Sequence, residues 1–246
     1  MVQYESEQGV SLTENADTLI ANKLTNFFSY FDRRKIRNAA TSNSMTPYDG
    51  NVLAILYGLF FSFLLLAIPM SPQFVPILGT YQPAGILLFP LTFIMIDTIN
   101  EVFGYRFARR LCITAAFVMV IASAGTAITA NYLGLKGAYL EVFGKLPKLY
   151  LINAACILVA DQLNNKVFSL LKVQLTGAHL WLRCLVSTVV GQVMYTVIWI
   201  TLFFGSDVNA GLIQKIIDNY GFKIGYAACL IPVTYTLVFV IRRLKK

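Results

Sequence analysis

Six apolar runs, near residues 51–69, 82–103, 111–133, 149–171, 181–204 and 222–242, constrain this chain more than any other feature. Each is long enough for a helix to cross a hydrocarbon core, which takes about 20 residues. In lipid the backbone groups must be satisfied within a helix or by a closed barrel, and these runs lack the alternation of barrel strands. The expected fold class is therefore an all-α membrane protein of six transmembrane helices. Composition agrees, because 57% of the 246 residues are hydrophobic and only 13% are charged, against about 25% charged in a soluble domain. Mean hydropathy is +0.65. The connections are short, so no second globular domain fits after the first span.

Lysine and arginine set the orientation. Arg33, Arg34, Lys35 and Arg37 precede the first run, and Arg106, Arg109 and Arg110 follow the second. Lys166, Lys172 and Arg183 lie around the connection between the fourth and fifth, and Arg242, Arg243, Lys245 and Lys246 close the sixth. The opposite side holds Lys136, Lys145, Lys148, Lys215 and Lys223. The positive-inside rule then places the N- and C-termini in the cytoplasm, as an even number of spans requires. The net charge of +8 thus reports topology. Its bases flank apolar runs instead of forming a basic face interleaved with aromatics, so no nucleic-acid partner is expected.

Two regions follow from this pattern: a polar cytoplasmic extension over 1–48 and a six-helix membrane domain over 49–246. The extension has no basic start backed by the apolar core of a signal peptide. Within 19–31, Leu24, Phe27, Phe28 and Phe31 recur at helical spacing ahead of the bases at 33–37. That spacing predicts an amphipathic interfacial helix with a basic tail, a soluble-facing or disordered segment being the competing reading.

Cys112, Cys156, Cys184 and Cys229 fall inside apolar runs with no CxxC spacing and no nearby histidine, so neither a disulfide framework nor a metal site is expected. No cofactor is expected either. The single histidine, His179, lies in a polar connection and reads as a solvated loop residue.

Three acids stand where acids are costly. Asp97, Glu101 and Asp161 lie within or at the ends of apolar runs. A charge at mid-bilayer costs about 2.5–3.5 kcal/mol on insertion scales, so such groups face a bundle interior or a wet cavity. In the second span Phe93, Asp97, Asn100 or Glu101, and Gly104 share one helical face. In the fourth, Asp161, Asn164 or Asn165, and Phe168 do the same, and Asp97-Thr98-Ile99-Asn100 is echoed by Asp161-Gln162-Leu163-Asn164. The fifth adds Ser187, Thr188, Gln192, Tyr195 and Trp199 along one stripe, while the sixth opens with Phe222-Lys223 and contains Pro232. Pro90 predicts a second helix interrupted near that residue, with a carbonyl released near Ile86.

Structural alternatives stand beside each of these. Glu101 can pair with Arg106 or Arg109, Asp161 with Lys166 or Lys223, and Gln192 and the Ser-Thr pair can serve as interhelical hydrogen-bond glue. Asp97 is the strongest functional candidate, because it lies farthest from either interface and has no base within a turn.

These motifs resemble the queuosine precursor transporters, the vitamin-uptake-transporter-like family of bacterial inner-membrane proteins. The resemblance runs from about Leu53 to Lys246 and centres on Gly85, Phe89-Pro90, Asp97, Asn100-Glu101, Phe103-Gly104 and Ala108-Arg109-Arg110. Leu163-Asn164-Asn165 with Phe168, Ser187-Thr188 with Gly191-Gln192, and Phe222-Lys223 with Pro232 and Tyr235 add weaker support. The resemblance implies import of 7-cyano-7-deazaguanine or 7-aminomethyl-7-deazaguanine across the inner membrane. A guanine-like edge presents two adjacent N–H donors that one carboxylate can accept, while an amide reads the neighbouring carbonyl. Asp97 or Asp161, with Asn100, Asn164 or Gln192, supplies that pair, and Phe89, Phe93, Tyr195 or Trp199 supplies a stacking face. Glu101 and Lys223 complete the candidate substrate-binding set. The chain departs from the family pattern twice: Asp161-x-x-Asn164 stands where Gln-x-x-Asp is usual, and Tyr195 stands where an aspartate is usual.

Three function classes were separable at this level. The first is a transporter for a flat heterocycle, proton-coupled through Asp97 or Asp161. The second is a substrate-capture subunit of a multi-subunit importer, since the chain has no GxxxxGK[ST] loop with which to hydrolyse ATP. The third, an intramembrane hydrolase with paired carboxylates, is opposed by the absence of a glycine-rich surround, a Ser-His pair or an HExxH run, and no enzyme is expected. The expected partners are a small-molecule deazapurine and the lipid bilayer, and a short-looped six-helix bundle is also compatible with a homodimer.

Overall fold

A computed structural model describes residues 2–5, 11–14, 16, 20, 25, 28–41, 47–77, 79–132, 134, 136–175, 177–204 and 210–244. The chain forms two compact units, Met1–Val52 and Leu53–Lys246. In the first, β1 (Val2–Glu5) pairs antiparallel with β2 (Ser11–Glu14), and α1 spans Tyr30–Thr41. Ser29 caps α1, its Oγ accepting from the Asp32 amide at 3.2 Å and donating to Asp32 Oδ2 at 2.6 Å. This satisfies an N–H that the first helical turn leaves without an intrahelical partner. The expected amphipathic segment lies mostly outside the described residues. Its last member, Phe31, belongs to α1, and the bases expected as a tail are helical.

Six segments are long and apolar enough to cross a membrane: Tyr48–Met70, Ala84–Phe103, Tyr105–Tyr132, Ala138–Gln174, Leu180–Phe203 and Ile217–Leu244. There is one for each apolar run. The first is α2 (Pro47–Met70), most of which belongs to the second unit. A hairpin of β3 (Phe74–Ile77) and β4 (Thr80–Pro83) follows, in a connection that the hydropathy pattern left unassigned. The second span combines a 3-10 turn (Ala84–Leu87) with α3 (Phe89–Phe103), and the third is α4 (Tyr105–Tyr132). The fourth runs through α5 (Ala138–Phe143), α6 (Leu146–Cys156), a π-helical turn (Ile157–Asp161) and α7 (Gln162–Gln174). The fifth is α8 (Leu180–Phe204), and the sixth lies within α9 (Ala210–Leu244).

The six-span helical membrane fold is as the hydropathy required. Leu59, Ile113, Phe117, Val197 and Phe239 are exposed on the helices. Lipid solvates such a surface, whereas in water it would drive association. The second span is the axis of the bundle: 72% of its apolar window is buried, against 17% for the sixth. Hydrogen bonds tie the other spans around it, from Tyr57 Oη to the Phe107 carbonyl at 2.8 Å and from Ser123 Oγ to the Pro147 carbonyl at 2.8 Å.

The break near Pro90 takes a specific form. The 3-10 turn ends at Leu87 and α3 begins at Phe89, so Pro90 sits in the first turn, where its missing N–H leaves no bond unmade. The carbonyl released to a side chain is that of Leu87, one residue beyond the expected Ile86, and it accepts from Tyr226 Oη at 3.3 Å. Gly85 permits the turn to press on the first span, because a Cβ there would run into the Ala67 carbonyl and meet Ser71 Oγ at 2.9 Å. At its other end α3 stops at Gly104, whose φ of +93° favours a residue without a side chain.

Candidate functional site

The site is built on one face of α3. Phe89, Phe93, Asp97 and Glu101 follow one another at four-residue spacing, which stacks them along the helix. Phe89 and Phe93 meet edge to face with ring centroids 5.6 Å apart. Asp97 is 3% exposed and lines a hollow with Pro90 and Phe93 of α3, Cys184 and Thr188 of α8, and Ile231 and Thr234 of α9. The hollow holds about 300 Å³ of empty space counting its open mouth. Its interior is narrow, with room for about one water.

Asp97 lies beside the Asn164 amide and the Cys184 thiol. Its Oδ1 accepts no hydrogen bond, and neither polar atom of the Asn164 amide reaches bonding geometry. The Asp161 Oδ1 and Gln192 Oε1 are also buried without a partner. Native interiors rarely leave such atoms unpaired, since each costs about 1–3 kcal/mol of desolvation. They lie on the second, fourth and fifth spans, with Asn164 close both to Asp97 and to Gly191, the residue before Gln192.

Two local features bring them together. The π-helical turn Ile157–Asp161 inserts an extra residue into the fourth span directly before Gln162, and Asp161 is its last member. Such bulges re-aim side chains and recur at functional sites. Gly191 then lets α8 close on that turn, because a Cβ there would approach Asn164 Cβ to 2.8 Å and the Ala160 carbonyl to 3.4 Å. Gln192, the next residue, is buried at the same crossing.

The other end of the face is aromatic and cationic. Phe89 and Tyr195 have ring centroids 4.9 Å apart. The Lys223 ammonium lies 5.4 Å from the Phe89 centroid and 4.9 Å from that of Tyr195, within reach of both π faces. Tyr195 Oη donates to Asn153 Oδ1, which fixes the ring. Lys223, counted with the loop bases in the topology argument, is half-buried, with its ammonium directed at these two buried rings.

Asn100 and Glu101 are placed differently from the rest of the candidate set. The Asn100 amide donates to the Asn165 side chain and to the Asn165 carbonyl, the latter at 3.1 Å, and accepts from Ser169 Oγ at 3.0 Å. It is spent on holding α3 to α7. Glu101 pairs with neither Arg106 nor Arg109. It meets Arg183 and Arg242 at 2.6 Å and Lys172 at 3.2 Å, one cation from each of three other spans. The Asp97–Asn100 and Asp161–Asn164 echo thus divides: Asn100 bonds to Asn165, and Asn164 is left beside Asp97.

Sequence reasoning missed Arg183, Asn153 and Cys184. Arg183 was counted as a connection base, yet its side chain is 1% exposed. Its only sequence signal was a position one turn inside an apolar run. Ser187, Thr188, Gln192 and Tyr195 are buried as the fifth-span stripe predicted, whereas Trp199 stacks on Phe203 at 4.7 Å. Cys112, Cys156 and Cys184 are buried and Cys229 is exposed. His179 is exposed in its connection.

Comparison with known proteins gives one result. A family model described as "Putative vitamin uptake transporter" matches residues 83–237, which takes in α3 to α8, α9 as far as 237, and all ten candidate binding residues. No curated protein and no solved structure matches the chain.

Proposed function

Because the chain belongs to the vitamin uptake transporter family, a family of membrane carriers for small molecules, we propose that it imports a queuosine precursor, 7-cyano-7-deazaguanine or 7-aminomethyl-7-deazaguanine, across a bacterial inner membrane. The observation that carries this reading is that Asp97, Asn164, Asp161 and Gln192 each keep a buried atom without a partner on the same three spans that bury Phe89, Phe93 and Tyr195. Asp97 accepts the ring N–H and the exocyclic amine of the guanine-like edge. The Asn164 amide donates to the adjacent ring carbonyl, and Gln192 Oε1 takes a remaining donor. The aromatic faces hold the flat ring, as in other base-binding proteins. Asn100 and Glu101, whose polar atoms are engaged between helices, act as scaffold.

The end where Lys172, Arg183 and Arg242 meet Glu101 faces the cytoplasm in this reading, with both termini on the same side. These bases come from the ends of three spans that the charge count had already grouped together. Substrate enters from the opposite side and leaves once the Glu101 cluster has opened. Either buried acid, Asp97 or Asp161, is placed to carry a coupling proton.

The test is uptake of radiolabelled 7-cyano-7-deazaguanine by liposomes containing only the purified protein. Accumulation that disappears in Asp97→Asn, at equal incorporation, supports the reading. Undiminished uptake by that variant removes Asp97 from the site. Binding without any uptake, restored by a partner ATPase, would make the chain a capture subunit instead of a carrier.

A further inference from the structure

The aromatic end of the α3 face already contains a positive charge, and this has a consequence for which ligands fit. Phe89 and Tyr195 form the kind of paired ring surface that attracts cations, yet the Lys223 ammonium lies 5.4 and 4.9 Å from their centroids. Asp161, 2% exposed, is a buried acid of the neighbouring fourth span. The two rings are held in place, since Tyr195 is bonded to Asn153 and Phe89 packs against Phe93. A second cation brought here would have to displace Lys223 or sit beside it, where like charges repel strongly in a low-dielectric interior.

Distance along the helix relates this end to the hydrogen-bonding end. Phe89 and Asp97 are eight residues apart, a rise of about 12 Å at 1.5 Å per residue. Phe93 lies midway and contributes to the hollow that Asp97 lines. In the proposed binding mode, a substituted bicyclic ring whose donor edge meets Asp97 extends along the α3 face past Phe93, with its far substituent toward Phe89, Tyr195 and Lys223.

We propose that Lys223 is a charge filter: it selects heterocycles whose far substituent is neutral or electron-rich and excludes those whose substituent is cationic. This rests on the proposed binding of guanine-like bases, and between the two precursors it selects the nitrile over the aminomethyl cation. A nitrile nitrogen can accept from the ammonium, whereas a protonated aminomethyl group cannot.

The experiment measures binding of both precursors to the purified full-length protein by calorimetry, for the wild type and for Lys223→Met, Lys223→Gln and Lys223→Arg. The wild type should bind the nitrile about tenfold or more tightly than the aminomethyl compound. Lys223→Arg should keep that preference, and the Met and Gln variants should bring the two affinities within about twofold to threefold of each other. Equal or tighter binding of the aminomethyl compound by the wild type overturns the filter, as does an unchanged ratio in both neutral variants. If the wild type binds neither precursor, the proposed substrate falls. Thermal shifts with purines and pterins, each in neutral and aminomethyl forms, then read the filter directly, and the absence of a preference for the neutral forms overturns it. Should the neutral variants fail to fold, the wild-type and arginine ratios still decide.

Discussion

Arg183 Nη1 lies 2.6 Å from Glu101 Oε2 in the interior of the bundle, with side-chain exposures of 1% and 4%. The guanidinium is completed by Nε donating to the Ala178 carbonyl at 3.1 Å and Nη2 donating to the Gly177 carbonyl at 2.9 Å. It also stacks over Phe168 at 5.1 Å. This pair fastens the fifth span to the second, and its partners differ widely in exposure.

Glu101→Gln would leave Arg183 buried without its carboxylate, whereas Arg183→Ala would leave Glu101 its two more exposed cations but remove a buried guanidinium with its bonds to Gly177 and Ala178. Glu101→Gln and Arg183→Ala should each destabilise the protein by about 3–5 kcal/mol. Arg242 is 56% exposed, and Arg242→Ala should cost about 1 kcal/mol or less. Thermal unfolding in one detergent ranks the three, and an Arg242→Ala loss as large as that of Arg183→Ala would contradict the assignment.

Asn100 and Asn164 occupy equivalent places in the sequence echo and should behave oppositely. Asn100→Ala breaks bonds to Asn165 and Ser169 and should cost about 1–3 kcal/mol in stability, with ligand affinity little changed in the folded fraction. Asn164→Leu removes two unpartnered buried atoms and should leave stability unchanged or raised, while ligand binding is lost. Paired unfolding and binding measurements on the two variants separate scaffold from site.

Gly191→Ala tests the crossing of α8 with the fourth span. The added methyl would lie 2.8 Å from Asn164 Cβ, which forces the helices apart. Overpacking of this kind costs about 1–3 kcal/mol. Because Asn164 is the group displaced, affinity for the nitrile ligand should fall at the same time. Full binding by Gly191→Ala would show that the crossing does not position the amide.

Tyr195→Phe should leave the ring over Lys223 but free the Asn153 oxygen. The expected loss is about 1–3 kcal/mol in stability, with the preference between neutral and cationic ligands weakened because the ring is no longer anchored. Calorimetry on the two precursors checks the second part.

The burial of the candidate acids was legible because charge is costly in lipid. Asp97 and Asp161 stood out for that reason alone, and both are buried in the bundle. Helical spacing located their faces but left Asn164 and Asn165 unresolved, since three- and four-residue steps both return to one side of a helix. Their partners separate them, Asn165 bonding to Asn100 and Asn164 lying beside Asp97, and nothing in Ile157-Leu158-Val159-Ala160-Asp161 announces the π-helical turn that precedes both. Arg183 was hidden because a base at the end of a span is usually solvated.

The sequence by itself determined the six spans, their alternation and the presence of acids that need shelter, because hydropathy and desolvation act on each segment separately. Only the tertiary structure decided which polar atoms are already satisfied. Glu101 meets three cations from three other spans and Asn100 meets Asn165, whereas Asp97, Asp161 and Asn164 retain unpaired atoms. Hydrogen-bond satisfaction depends on where helices distant in sequence cross, and a single missing Cβ at Gly191 sets one such crossing.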